Sequence, residues 1–395
     1  MPHRGCKDIN IRNPRTCEMW VLDCLERHYR RMDFGRLLEQ YGGAGFADMQ
    51  FPERRAVARR IAEVCCYQIE NRHLDIPPVV ITTRRDGSSG KIRQIGCESP
   101  LHQCLDFIAV GASKEIHDRR IVPQQCSSIQ NRGPLYGAKM IRGWINNDIA
   151  RKEYAERHGI RYTSLCNWHV KTDNKKCFPN GDIEVFNRHY SRDCGNMDLL
   201  WLFEQLLMTH HVNGYKGFMI GALPSEWAMQ YLMSFAYRYT TGLHYERHGK
   251  SRQMVSHELI FMDDVLYTGP NREMLKKAIL MTADYMAEDL HQYIKPDWSI
   301  QRLDDHPIDM MGFRIYSSGK MAIRPSIYKR FRRMALRSEN GLSLRQSKRV
   351  MSYKGYLDHS SRARASERLN TGRVYRISRR NISKHYKAQM KGGTE

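Results

Sequence analysis

The stretch LIFMDDVLY, residues 259–267, places two adjacent carboxylates inside an otherwise apolar β pattern. A buried carboxylate persists only where it is paired, hydrogen-bonded or bound to a metal ion. The β-branched and aromatic residues around Asp263 and Asp264, followed by the turn sequence TGP at 268–270, predict a tight hairpin with the acidic pair at its bend. Such a hairpin can direct both carboxylates to one point, and hard oxygen ligands of this kind favour Mg²⁺. A solvent-exposed Asp-Asp turn is the alternative that this stretch alone leaves open.

Composition narrows the class of protein. A chain of 395 residues with 41% hydrophobic content is long enough for two or three compact units with their own cores. The 11 cysteines include no Cys-x-x-Cys pair, so we expect reduced thiols and neither a zinc finger nor a disulfide framework. No apolar run approaches the roughly 18 residues that a membrane span needs. We therefore expect a soluble cytoplasmic protein without a membrane partner.

The net charge of +22 is unevenly distributed. Residues 326–395 carry 19 Lys/Arg against 4 Asp/Glu, a net charge of +15. Such a field favours a polyanionic partner and makes binding strongly dependent on salt. A disordered basic tail fits the last dozen residues, but the apolar periodicity of the rest predicts helices. This region is therefore expected to be helical and to bind nucleic acid.

Two regions precede the acidic pair in the chain. Helical periodicity over residues 16–70 predicts a helical preface. Residues 77–95 predict a basic hairpin closed by a Gly/Ser turn, in which Arg85, Lys91 and Arg93 alternate with apolar residues. We expect these three side chains to share one face and to meet a phosphate group there. A solvated edge hairpin is the alternative.

A third candidate carboxylate lies on another strand. Residues 168–179 predict a short strand that ends on Asp173, and Asp182 then has the position of a helix N-cap. The glycine-spaced loop 214–225 leads into a helix, and its small residues would let a ligand approach the backbone closely. A simple helix-entry turn is the alternative for that loop.

Further along, the pattern predicts a long helix over 271–291, a strand over 293–298 and a hairpin over 308–320. The order of strands and helices favours an α+β architecture in which helices back an antiparallel sheet.

Asp173, Asp263 and Asp264 together are what a two-metal phosphoryl-transfer site needs. Shared carboxylates hold two Mg²⁺ ions about 3.5–4 Å apart in such sites, where the ions activate the attacking hydroxyl and stabilise the leaving oxygen. Mn²⁺ is the alternative ion. The long sequence separation is no obstacle, because the two strands need only be neighbours in the sheet.

From about residue 78 to 359 the sequence resembles the reverse transcriptases of bacteria and phages, which are related to group II intron enzymes. DNKKCFP at 173–179 is similar to their first catalytic motif, and FMDD at 261–264 is similar to their aromatic-x-Asp-Asp box. IGALPSE at 220–226 resembles the nucleotide-adjacent Gly-x-x-x-Ser motif, and YKGY at 353–356 resembles the thumb of the group II intron and bacterial enzymes.

The resemblance implies a right-hand polymerase fold with an antiparallel palm sheet backed by helices. Its parts would be a helical N-terminal extension (1–76), fingers (77–160), a palm (161–325, with finger elements inserted at about 183–215) and a basic helical thumb and tail (326–395). It implies an RNA-directed DNA polymerase that adds dNTPs to a 3′ end. The implied partners are an RNA template, a DNA primer or product, and dNTPs.

The same resemblance implies a role for each matched residue. Catalysis and metal binding fall to Asp173, Asp263 and Asp264, and contacts to the incoming nucleotide fall to Arg85, Lys91, Arg93, Phe178, Ile220, Gly221, Ser225 and Lys295. Phe178 has the position of an aromatic gate that excludes the 2′-hydroxyl, with a buried core aromatic as the alternative. The primer grip would be Met311, Gly312 and Phe313, and the nucleic-acid contacts of the thumb would be Arg332, Arg333, Lys348, Arg349 and Lys354.

Two residues depart from the family pattern. Ile220 replaces the usual Gln, as in diversity-generating retroelement enzymes and some defence-associated enzymes, and Glu226 follows Ser225 where Gln or Pro is usual. We expect a defence-associated enzyme that copies a noncoding RNA. The alternatives are a diversity-generating retroelement enzyme, a template-independent polymerase, and a catalytically idle RNA-binding maturase or scaffold. The intact carboxylates argue against the idle protein, because gathered negative charge repels a polyanion. The sequence is compatible with a homo-oligomer and with a hetero-oligomer.

Overall fold

A computed structural model describes residues 4–85, 90, 92–338, 341–361 and 368–391. The chain forms two compact units. Unit 1 comprises Met1–Pro123, Asp173–Thr240 and Leu280–Pro296, and unit 2 comprises Gln124–Thr172, Thr241–Ile279 and Asp297–Glu395. Within the described ranges, no helix is long and apolar enough to cross a membrane.

Helices and small antiparallel sheets make up both units. The helices are α1 (Pro14–His28), α2 (Met32–Gln40), α3 (Phe51–Glu70), α4 (Pro100–Ala112), α5 (Lys114–Arg120), α6 (Pro134–Arg157), α7 (Ile183–Asp193), α8 (Met197–Met208), α9 (Leu223–Thr241), α10 (Arg272–Asp289), α11 (Pro325–Arg337), α12 (Leu344–Asp358) and α13 (Thr371–Lys391). The strands are β1 (Val80–Arg85), β2 (Ile92–Cys97), β3 (Trp168–Asp173), β4 (His244–Arg247), β5 (Lys250–Gln253), β6 (His257–Phe261), β7 (Asp264–Gly269), β8 (Gln301–Arg302), β9 (Ile308–Met310), β10 (Phe313–Ile315) and β11 (Met321–Ile323).

The helical preface of unit 1 is confirmed by α1, α2 and α3. Helix α1 begins after Asn13, whose side chain accepts a hydrogen bond from the Arg15 amide. Its buried Glu18 is bound by two guanidinium groups of α3, those of Arg55 and Arg59. The two guanidinium groups replace the hydrogen bonds to water that the Glu18 carboxylate loses on burial. They therefore link α3 to α1.

An aromatic cluster fills the other part of unit 1. It is formed by Phe186, Tyr190, Phe203, Trp227 and Tyr231, whose rings lie 4.9–6.0 Å from one another where they pair. These residues come from α7, α8 and α9, so the cluster holds the three helices together. The predicted N-cap of α7 is confirmed, since the Asp182 side chain accepts hydrogen bonds from the first-turn amides.

In unit 2 the predicted acidic hairpin is confirmed. Strands β6 and β7 pair antiparallel, with Phe261 opposite Asp264, so that Met262 and Asp263 form a two-residue turn. Met262 adopts the left-handed region at φ 58°, which costs a residue with a side chain about 1–2 kcal/mol. The hairpin belongs to a four-stranded sheet of order β6-β7-β3-β8.

The prediction for residues 293–298 is wrong, and that for 308–320 is incomplete. Residues 293–298 form no strand; Ile294 makes a single bridge with Asn174. The hairpin is a three-stranded meander, β9-β10-β11, because Met311 and Gly312 turn the chain once before the turn at 316–320. The left-handed φ of both turn residues, 53° and 87°, explains the early reversal.

The basic C-terminal region of unit 2 is helical where it is described. Helices α11, α12 and α13 pack around a small apolar core of their own. Helix α12 begins with a capping box in which the Ser343 and Gln346 side chains each accept from the other's backbone amide. The buried members of that core are Phe331, Met334, Ala335, Leu342, Val350, Val374 and Tyr375.

The segment after α6 is held in place by one carboxylate. Asp148 is 7% exposed and accepts hydrogen bonds from the hydroxyls of Tyr162 and Ser164 and from the amides of Leu165 and Cys166, at 2.9 and 3.1 Å for the amides. Burial alone would raise the pKa of Asp148, but the four donors outweigh burial and lower it.

Asp148→Asn should therefore destabilise the protein by about 1–3 kcal/mol at neutral pH, because the amide nitrogen cannot accept the bonds that a carboxylate oxygen accepts. The folded-state pKa lies below the unfolded value of about 3.9, so the stabilisation is fully present above that value and is lost as the pH falls from it through the lower folded-state pKa. Thermal melting at several pH values should show parent and variant converging in acid. Asp23→Asn, in an exposed pair with Arg27, is the matched control. Equal melting of parent and Asp148→Asn at neutral pH would contradict this role.

Candidate active site

Asp263 and Asp264 lie at the turn of the β6–β7 hairpin in unit 2. Asp264 is the first residue of β7, and both side chains are half-buried. The Lys171 ammonium of β3 lies 3.3 Å from Asp264 Oδ1, and the Asp264 side chain is 31% exposed. Because the Asp264 carboxylate is partly exposed to water, replacement of the lysine ammonium by another cation costs little free energy.

Asp173 is the last residue of β3 and belongs to unit 1. Lys295 holds it at two points: the Lys295 ammonium lies 2.5 Å from Asp173 Oδ1, and the Lys295 amide donates to the Asp173 carbonyl at 2.9 Å. The resemblance implies a nucleotide contact for Lys295; here its ammonium pairs with a candidate metal ligand. Sequence reasoning missed Lys171, although its position two residues before Asp173 on one strand was a usable signal.

The donor chemistry of these residues fits the implied metal. All three side chains offer hard carboxylate oxygens, which suit Mg²⁺ and Mn²⁺. At Asp173 and Asp264 an ammonium group already stands beside the carboxylate, in place of a metal cation.

The loop before α9 is shaped by backbone requirements. Gly221 has φ +92°, and a Cβ there would lie 3.2 Å from Ile95 Cγ2 of β2, so a side chain is disfavoured. Ser225 is fully buried, and its hydroxyl accepts a hydrogen bond from the Met219 amide at 3.1 Å. The Ser225 hydroxyl therefore closes the loop. Of the other two predicted residues of the loop, Gly221 is exposed and Ile220 is half-buried.

A cavity of about 560 Å³ lies beside this loop in unit 1. Glu226, in the first turn of α9, contributes to its wall together with three arginines, Arg27, Arg31 and Arg84. Glu98 and Asp106 line the same cavity, so its wall carries three arginines and three acidic residues. Sequence reasoning missed these arginines, because two of them belong to the helical preface and its junction with α2.

The prediction that Arg85 and Arg93 share one face of the basic hairpin is wrong. The strand register pairs Arg84 with Arg93 and Arg85 with Ile92. Directly paired residues share a face and adjacent residues alternate, so Arg85 and Arg93 leave the sheet on opposite faces. Arg85 instead donates to the Gly90 carbonyl at 3.2 Å. Lys91, the third predicted member, lies outside the described residues.

Phe178 is 8% exposed and stands next to the buried Cys177. Its carbonyl accepts hydrogen bonds from the Gly181 amide at 2.9 Å and the Phe218 amide at 2.8 Å. The ring therefore belongs to a tightly organised loop in unit 1, which favours the core role that the sequence left as the alternative.

The predicted primer-grip residues form the β9–β10 turn. Met311 and Phe313 are buried in the core of unit 2, at 8% and 1% exposure. A Cβ on Gly312 would lie 2.5 Å from Tyr356 Cε1, so this position needs glycine for space as well as for its φ. Only the backbone of the turn is left for a ligand to contact.

The predicted nucleic-acid contacts of the C-terminal region differ in their surroundings. Arg332 and Arg333 of α11 are exposed. Lys348 lies 5.1 Å from the ring centroid of Tyr386, and Lys354 pairs with Asp358 and lies 5.6 Å from the Tyr375 ring. Arg349 is half-buried. Arg332, Arg333 and Lys348 are therefore exposed, whereas Arg349 and Lys354 are half-buried.

Another group in unit 1 was missed entirely from the sequence. Glu98, His102 and His210 are buried, and one donor atom from each lies within 4.8 Å of the others, which is close enough to hold a metal ion. Burial lowers the pKa of His102 to about 4. Burial and the neighbouring Glu98 carboxylate raise the pKa of Asp106, which completes the group. The spacing of His102 and Asp106 by four residues was a usable signal for one helix face.

No protein-family model matches the chain, and no curated protein matches it. Among solved structures it is similar to the telomerase of Candida albicans in complex with a TWJ fragment of telomeric RNA. The sequence identity is 9% and the TM-score 0.38, and the match covers 80% of this chain and 62% of that chain. The match therefore spans less than two thirds of the telomerase chain.

Phe178→Ala should lower the free energy of unfolding by about 3–5 kcal/mol, because it opens a cavity where a buried ring was. Melting of the parent, Phe178→Ala and the more conservative Phe178→Leu measures this cost. Competition between matched dNTP and rNTP with the folded Phe178→Leu variant tests the gate: a core ring leaves sugar preference unchanged. A stable Phe178→Ala protein that newly accepts rNTPs would contradict the core role.

Proposed function

We propose that the protein is an RNA-directed DNA polymerase that extends a 3′ end with dNTPs by two-metal phosphoryl transfer. The observation that carries this proposal is the two-residue turn that presents Asp263 and Asp264 at the end of a buried hairpin. The strands that flank them are largely buried, whereas the two carboxylates are only half-buried and so keep access to a cation and to substrate oxygens.

Asp173, Asp263 and Asp264 would hold the metal ions. When bound, the ions would lower the pKa of the attacking hydroxyl and stabilise the negative charge that develops on the leaving oxygen. Within unit 2 the Lys171 ammonium contacts Asp264, and within unit 1 the Lys295 ammonium contacts Asp173. The ammonium groups of Lys171 and Lys295 balance the charge of the carboxylates. We propose that a metal ion displaces them and that they pair with the carboxylates again when the metal leaves.

The incoming nucleotide would bring its triphosphate to a basic surface. We propose that Arg84 and Arg93, which share a face of the β1–β2 hairpin, contribute to that surface, and that Gly221 allows close approach of the nucleotide. Glu226 sits among the cavity arginines and would limit how many phosphates they can bind.

The RNA template is proposed to be a noncoding RNA, and the setting to be antiphage defence, on the sequence resemblance described above. Sequencing of the nucleic acid that copurifies with the protein, together with the product made from labelled dNTPs, tests both points. A product that matches a variable protein-coding repeat would favour the diversity-generating alternative. A product without any template match would favour template-independent synthesis.

Asp263→Asn and Asp264→Asn should each reduce dNTP incorporation by about 10²–10³-fold, because each removes a charge that stabilises the transition state. Asp305→Asn, at an exposed position, is the matched control and should retain parental activity. Primer extension with each variant at equal concentration, alongside its melting curve, gives the measurement. Near-parental extension by a folded Asp264→Asn enzyme would disprove the site. A parent that binds RNA yet incorporates nothing would favour the idle RNA-binding alternative.

Arg332→Gln combined with Arg333→Gln should weaken RNA binding equally across sequences and reduce the slope of log K against log salt by about 1–2, since each lost phosphate contact removes a released counterion. The control is Lys276→Gln with Lys277→Gln, an adjacent exposed pair on α10 that loses the same charge. Binding measured over a salt series compares the two variants. Equal slopes for both would show that the α11 arginines act only through net charge.

A further inference from the structure

The buried group around α4 in unit 1 brings together three potential metal ligands, Glu98, His102 and His210, and Asp106 lies next to His102. Glu98 follows β2 directly, and His102 and Asp106 lie on α4 one and two turns later. His210 comes from the segment that follows α8. One helix face and one distant residue thus converge, with a donor atom of Glu98, His102 and His210 each within 4.8 Å of the others.

These side chains are deeply buried and incompletely hydrogen-bonded. Both histidines are 0% exposed and Asp106 is 1% exposed. His210 Nε2 lies 2.7 Å from Glu98 Oε1, and His102 Nε2 lies 3.3 Å from the Thr209 hydroxyl. Among the described residues, the Nδ1 atoms of both histidines and both carboxylate oxygens of Asp106 lack a hydrogen-bond partner. An unpaired buried polar group costs about 1–3 kcal/mol, so the two unpaired oxygens of Asp106, which lie beside His102, indicate a missing partner.

We propose that Glu98, His102, Asp106 and His210 form a structural site for a zinc ion. Two imidazole nitrogens with carboxylate oxygens are a donor set that Zn²⁺ accepts in tetrahedral geometry, whereas Mg²⁺ requires oxygen ligands and retains water. This site is therefore distinct in chemistry from the carboxylates at Asp173, Asp263 and Asp264. With Asp106 as the fourth ligand the site would have four protein ligands, as structural zinc sites do, whereas a catalytic zinc keeps an open position.

Charge balance supports the ion. Once both carboxylates give up their protons to metal binding, their two charges and one divalent cation sum to zero, so the occupied site would bury no net charge. The His102 Nε2 atom lies 3.7 Å from Asp106 Oδ1, near the separation of two ligands that share a metal with bonds of about 2.0–2.2 Å.

The ion would fasten three elements of unit 1 to one another. Glu98 lies at the base of the β1–β2 hairpin, the next two ligands lie on α4, and His210 lies at the end of α8. Because the ligands come from distant parts of the chain, binding contributes directly to folding stability. Zinc would thus hold the hairpin base in place, whether or not the protein polymerises nucleotides.

Metal analysis of the full-length chain, grown with zinc and purified without chelator, tests the site. The parent should contain about one zinc ion per chain, as a single four-ligand site requires. His210→Ala should lose it. His169→Ala is the matched control, because His169 is a buried histidine of unit 2 whose Nε2 contacts the His306 carbonyl; it should retain the metal. Equal zinc in the parent and His210→Ala would overturn the proposal, since cysteines elsewhere would then hold the ion.

A second measurement on the parent chain does not depend on the folding of any variant. After removal of zinc with a chelator, the melting temperature should fall, and Zn²⁺ but not Mg²⁺ should restore it. Refilling with Co²⁺ should give the strong visible absorption of a tetrahedral nitrogen–oxygen site. No zinc, no cobalt absorption and an unchanged melting temperature would mean that the group is only hydrogen-bonded. None of these readouts uses polymerase activity, so their failure is distinguishable from failure of the proposed function.

Discussion

The pairing of Phe261 with Asp264 closes the β6–β7 hairpin and determines where every other side chain of the two strands points. Strand side chains alternate with a period of two, so a slip by one residue would move Leu259 and Leu266 out of the core of unit 2. The same slip would take Asp264 away from Lys171. Burial of the apolar residues therefore holds the acidic pair at the turn, and the left-handed Met262 is tolerated because that register is so strongly favoured.

Unit 1 depends on a different constraint, the cost of removing charged groups from water. Glu18 is satisfied by two guanidinium groups of α3, and Asp193 by the Arg120 guanidinium and the Tyr231 hydroxyl. Each of these carboxylates joins helices that are distant in the chain, and each has its partners in place. The group around His102 and His210 differs, because several of its atoms lack partners among the described residues. The unpaired atoms around His102 and His210 are therefore consistent with a bound ion, whereas Glu18 and Asp193 already have their partners.

The two proposed cation sites of the chain differ in their chemistry. The carboxylates at Asp173 and Asp264 are partly exposed, paired with ammonium groups and built of oxygen alone, which suits an ion that must exchange and bind substrate oxygens. The group around His102 and His210 is enclosed and mixes nitrogen with oxygen, which suits an ion that stays. Exposure and donor type, more than the number of carboxylates, separate a reactive site from a structural one.

Local features were predictable from the order of residues because they depend on neighbours a few positions apart. The helical preface, the acidic hairpin, the Asp182 cap and the helices after Ser326 follow from periodicity, capping and turn chemistry. Long-range pairings were not predictable. The register that separates Arg85 from Arg93 depends on how two strands align, and the bond from the Met219 amide to Ser225 depends on how a loop closes. The contact between Glu98 and His210 joins residues 112 positions apart, so only packing of the folded chain could bring them together.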